Sequence, residues 1–79
     1  MIVELEVHGG LKECFQTGKM EVSEGTTVEA LFVQLSDRYP ESARLLKSSL
    51  VAVNEEIVKK DYRLNANERL HIMPPFSGG

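Results

Sequence analysis

Six residues at the end of the sequence, Pro74-Pro75-Phe76-Ser77-Gly78-Gly79, have types and an order that suit one kind of chemistry. A carboxylate on Gly79 is a poor acyl donor until a partner enzyme spends ATP to make it an acyl-adenylate. Sulfur can then displace the adenylate and leave a thiocarboxylate. To reach the ATP, the chain end must thread a narrow channel. Glycine has no Cβ and tolerates backbone angles that other residues avoid, so Gly78 and Gly79, with the small Ser77, fit where a larger residue clashes. Pro74 and Pro75 lack an N–H, cannot continue a strand ladder, and favour an extended exit. Fully extended, the six residues reach roughly 20 Å. Phe76 is the one bulky side chain among them and is expected, with Pro74 and Pro75, to contact a partner, as interface aromatics often do.

Other chemistry-bearing residues are few. Cys14 is the single cysteine. It has no partner for a disulfide or a Cys pair for a metal, and reads as a small half-buried apolar residue rather than a relay thiol. His8 and His71 fall on separate strands with no third ligand in view, so no metal site is expected. The pattern contains no Ser-His-Asp set, phosphate loop or catalytic carboxylate pair. The chain is therefore expected to bind no cofactor and not to be an enzyme on its own.

The elements that must hold this end in place are legible as periodicities. Val3, Leu5 and Val7 alternate with Glu4 and Glu6, the pattern of a half-buried strand. Gly9-Gly10 breaks it, Leu11 to Gly18 is irregular, and Met20 and Val22 form the buried side of a second strand. Thr26 and Glu29 fit a capping box. Val28, Leu31, Phe32, Leu35 and Tyr39 form one helix face, which Pro40 ends. Residues 41–47 suit a short second helical turn. Leu50 to Val53 reads as an interior strand, Asn54-Glu55-Glu56 as a turn, Ile57-Val58 as a short strand, and Leu70 and Ile72 as the core side of a last strand. Val3, Leu5, Val7, Met20, Val22, Val28, Leu31, Leu35, Ile57, Leu70 and Ile72 are expected to be buried together. This order predicts an α+β fold with one main helix packed on one face of a mixed sheet. Residues 1–73 form the domain, and residues 74–79 a flexible extension.

Length and charge narrow the function further. The chain has 79 residues, 12 of them acidic and 9 basic, for a net charge of −3. A domain of this size buries only about 60% of its unfolded surface, which leaves little room for a deep cleft. Without a basic run beyond Lys59-Lys60, it is a poor nucleic-acid binder. Its first residues have no signal-peptide pattern, and no apolar run approaches the ~20 residues that span a bilayer. A small domain without disulfides is expected in the cytoplasm.

The ending Pro74-Pro75-Phe76-Ser77-Gly78-Gly79 resembles the Pro-Pro-x-x-Gly-Gly terminus of the molybdopterin synthase small subunit and its ubiquitin-like sulfur-carrier relatives. Gly25-Thr26-Thr27-Val28-Glu29-Ala30-Leu31 is similar to that family's helix start, and Arg38-Tyr39-Pro40-Glu41 with Leu45-Leu46 to its helix end. Val53-Asn54 before Ile57-Val58 and Leu11-Lys12-Glu13 also match; His8-Gly9-Gly10 departs from the usual pattern. The resemblance implies a β-grasp fold and a Gly79 carboxylate activated by a ubiquitin-activating-type adenylating enzyme. It further implies a sulfur donor protein, and a synthase large subunit that receives the thiocarboxylate for molybdenum cofactor synthesis. Two further roles share this ending: a protein modifier joined to lysines through Gly79, and a sulfur carrier for thiamine, cysteine or tRNA thiolation pathways. A non-covalent interaction module is the third possibility.

Overall fold

Strand alternation places β1 at Ile2–Val7, with Val3, Leu5 and Val7 buried and Glu4 and Glu6 on the opposite face. The structure is a computed structural model, and it describes residues 1–75. β1 pairs antiparallel with β2 (Gly18–Glu21), Val3 opposite Met20. Between them a 3-10 turn at Gly9–Glu13 drops Leu11 into the core. Then follow α1 (Val28–Arg38), a 3-10 turn at Pro40–Ser42 and α2 (Ala43–Lys47). The remaining strands are β3 (Leu50–Val53), β4 (Glu56–Val58) and β5 (Arg69–Met73). The sheet order is β2-β1-β5-β3-β4. Only the β1–β5 pair is parallel, so the sheet is mixed.

α1 buries Val28, Leu31, Phe32 and Leu35, the predicted stripe. Its cap lies one residue later than the capping box predicts. The Thr27 hydroxyl accepts from the Ala30 N–H at 3.1 Å. Thr26 is held in the preceding turn: its hydroxyl donates to the Ser23 carbonyl at 2.6 Å, and its own carbonyl accepts from the Leu64 N–H at 2.9 Å. Tyr39 falls outside the helix with φ −129°, because the proline that follows disfavours the helical region.

The core comprises Val3, Leu5, Val7, Val22, Val28, Leu31, Leu35, Leu70 and Ile72 as expected, joined by Leu11, Phe15, Phe32, Leu46, Val51, Val53 and Leu64. Met20 is half-buried. Ile57 departs from the expectation and is 58% exposed. It pairs with Ala52, so it shares Ala52's side of the sheet, while Val51 and Val53 point to the helix. The hydroxyls of buried Ser42 and Ser49 donate to the backbone carbonyls of Tyr39 and Leu45, each at 2.7 Å. No buried side-chain N or O among the described residues lacks a partner.

Candidate functional site: the root of the chain end

β5 leads into the last residues, and its position in the sheet decides how firmly their root is held. It lies in the middle, parallel to β1 from Glu4–Arg69 to Val7–Ile72 and antiparallel to β3 from Leu50–Met73 to Val53–Leu70. Leu70 and Ile72 are fully buried, and the strand is paired on both sides up to Ile72, with Met73 paired to Leu50 on the β3 side. Pro74 follows, half-buried, then Pro75, exposed. Four of the six predicted site residues, Phe76, Ser77, Gly78 and Gly79, lie outside the described residues.

Pro74 sits on Gly9. A Cβ at Gly9 falls 2.9 Å from Pro74 Cγ, and the Gly9 backbone has φ +59°. Both facts favour glycine there. A Cβ at the adjoining Gly10 falls 3.3 Å from Leu45 Cδ1. In sequence, Gly9-Gly10 marks a strand break; in three dimensions it is the seat for the root of the chain end. The signal was present as a double glycine directly after a strand, but its partner lies 65 residues away.

One sheet face carries no helix, and two kinds of residue share it. Leu50 and Met73 pair across strands, as do Ala52 and Ile57. Leu50 is 57% exposed, so this apolar ground beside Pro74 is open to solvent. The neighbouring half carries Glu4, Glu6, His8, Arg69 and His71. Arg69 reaches Glu4 at 3.4 Å and Glu6 at 3.6 Å. The two histidines, for which no third ligand was in view in the sequence, share Glu6, which lies 3.7 Å from His8 and 3.5 Å from His71. The correction comes from register: Glu6 pairs with His71, and His8 follows two positions on, on the same face.

Cys14 is half-buried and packs against the core. Burial pushes its thiol pKa up, and the nearby carboxylates of Glu41 and Glu13 push it in the same direction. A thiol held protonated is a poor nucleophile, which fits the structural role expected for it.

No helix among the described residues is long and apolar enough to cross a membrane. A model of the ThiS family matches residues 5–79. The chain belongs to the ThiS family. A curated relative, the molybdopterin synthase sulfur carrier subunit of Dictyostelium discoideum, is 39% identical over 51 residues. That match covers 62% of this chain and 59% of the relative, so this chain spans less than two thirds of that protein's length. Among solved structures, small archaeal modifier protein 1 of Haloferax volcanii superposes with a TM-score of 0.79 at 20% identity, covering 95% of this chain and 98% of that one. Subunits 1 and 2 of the molybdopterin-converting factor from Helicobacter pylori form a complex whose matching chain gives 0.71 at 18% identity, with both chains fully covered. At such identities the two structures establish the β-grasp fold that this ThiS-family chain shares with them.

Proposed function

We propose that this ThiS-family protein is a sulfur carrier of the molybdopterin synthase small-subunit type, carrying sulfur as a thiocarboxylate on Gly79. The observation that carries the proposal is the family match running through residue 79, together with a chain end rooted in the central strand. Such a root holds the direction of exit constant while glycines supply clearance at the reacting end. The protein provides reach and a recognisable body; its partners provide catalysis. A ubiquitin-activating-type enzyme adenylates Gly79 with ATP, a sulfur donor protein supplies the sulfur that displaces AMP, and a synthase large subunit receives the chain end. The two-subunit Helicobacter pylori complex supports the last partner. Pro74, Pro75 and Phe76 contact the partners, Ser77 and Gly78 thread the channel, and the reactions take place in the cytoplasm.

A chain lacking Gly79 tests the proposal. Its carboxylate is withdrawn by about 3.5 Å, and displacing reacting atoms by one ångström costs about 100-fold in rate. With the cognate adenylating enzyme, ATP and a sulfur donor, the full chain gains the mass of one sulfur in place of one oxygen, whereas the shortened chain does not. Gly78→Val is equally inert, since a β-branched side chain crowds the channel. Activation of the shortened chain at the full rate overturns the proposal.

A second reading, a modifier joined to lysines through Gly79, is favoured by the close superposition on small archaeal modifier protein 1. Intact masses from native cells separate the two: a single thiocarboxylate species for a carrier, a ladder of conjugates for a modifier. Carriers for thiamine, cysteine or tRNA thiolation share the thiocarboxylate and differ in the acceptor that consumes it.

A further inference from the structure

Glu6, His8 and His71 bring three polar atoms close together on the helix-free face of the sheet. His8 Nε2 lies 3.2 Å from His71 Nδ1, Glu6 Oε2 lies 3.7 Å from the former and 3.5 Å from the latter, and all three side chains are about one-third exposed. A point equidistant from the corners of that triangle is about 2.0 Å from each, the length of a zinc–imidazole or zinc–carboxylate bond. The imidazole planes are 23° apart with centroids separated by 5.4 Å. The rings are thus nearly parallel, and aiming both lone pairs at the common point takes a rotation of the side chains.

The geometry points to a binding site for a divalent transition ion of the zinc class, held by Glu6, His8 and His71. This inference goes beyond the sulfur-carrier proposal and does not depend on it. Two imidazoles and one carboxylate suit Zn2+ and its neighbours rather than Mg2+ or Ca2+, which prefer oxygen ligands. Three protein ligands leave a fourth position for water. Arg69 reaches the other carboxylate oxygen, Glu6 Oε1, at 3.6 Å and leaves Oε2 to the ion. Glu4 shares that guanidinium, so two carboxylates face one cation and the local charge favours an added one. Binding requires neutral rings whose protons sit on His8 Nδ1 and His71 Nε2. The hydrogen bond now joining the rings is replaced by the two metal bonds.

Calorimetry of the untagged full chain with Zn2+ alone near neutral pH tests this. One ion per chain is expected, and Co2+ in its place should give the visible bands of a tetrahedral site. Long-range 15N spectra of the wild-type protein should show zinc moving the His8 Nε2 and His71 Nδ1 resonances, a readout that needs no variant. His8→Asn, His71→Asn and Glu6→Gln should each weaken zinc by about tenfold or more, while Cys14→Ser leaves it unchanged. Absence of binding, binding that survives the double His8→Asn/His71→Asn change, or binding lost with Cys14→Ser overturns the inference.

Discussion

Gly9 links two demands at one residue: a left-handed backbone, and a surface flat enough to seat Pro74. A side chain at such a φ costs roughly 1–2 kcal/mol, so Gly9→Ala should lower the urea-unfolding free energy by about that amount. It should also slow adenylation by displacing Pro74. Gly18→Ala is the control, because nothing lies within 4 Å of its added Cβ; it should be neutral or slightly stabilising. Cys14 is subject to the opposite logic. Its thiol is pushed up by burial, then by Glu41 and Glu13. Thiolate is the reacting form, so alkylation near pH 8 should be slower than for a free cysteine and should accelerate only as pH rises beyond the ordinary thiol range. Cys14→Ser should accept sulfur on Gly79 at the wild-type rate; a loss would make the cysteine a relay.

At the scale of elements, the β3–β4 hairpin carries local strain. Val53 pairs with Glu56, leaving the two-residue loop Asn54-Glu55 with φ of 53° and 66°. A hairpin loop with both central residues at positive φ favours Asn-Gly, and glutamate has no side-chain reason to be there. Glu55→Gly should therefore stabilise the fold by roughly 1 kcal/mol, which for a domain of this size raises Tm by about 4–8 °C in a thermal melt. α1 shows how local signals compete. Two adjacent threonines offer a cap, and the tertiary bond from Leu64 to the Thr26 carbonyl assigns the role to Thr27.

For the whole molecule, the proposed function asks the helix-free face and the chain end to serve together as one docking unit. Leu50 and Ile57 are more than half exposed, on the face that Met73 shares immediately before Pro74. Open apolar side chains beside the proposed reacting end are suited to partner contact. Leu50→Asp and Ile57→Asp should each weaken binding to the adenylating enzyme about tenfold or more, or about 1.4 kcal/mol. Surface changes of this kind usually alter stability by no more than about 0.5 kcal/mol. Titration by calorimetry, beside thermal melts of the same proteins, separates the two effects. Unchanged affinity would mean that docking rests on other surfaces, Phe76 among them.

Strands β1, β3 and β5 and helix α1 could be read from the sequence because each repeats its apolar residues at its own period, a local property. The Pro-Pro-x-x-Gly-Gly ending could be singled out because the chemistry proposed for it depends on residue type alone: small residues, two prolines without an N–H, one aromatic. Pairing decided everything else. Ile57 is apolar and sits on a strand, yet only its register with Ala52 turns it to solvent. Gly9 and Pro74 become one feature only when β5 lies beside β1. Glu6, His8 and His71 become neighbours only because that pair is parallel and sets Glu6 against His71. A slip of one residue reverses every side chain of a strand, and register is a relation between segments far apart in the chain, so no local pattern records it.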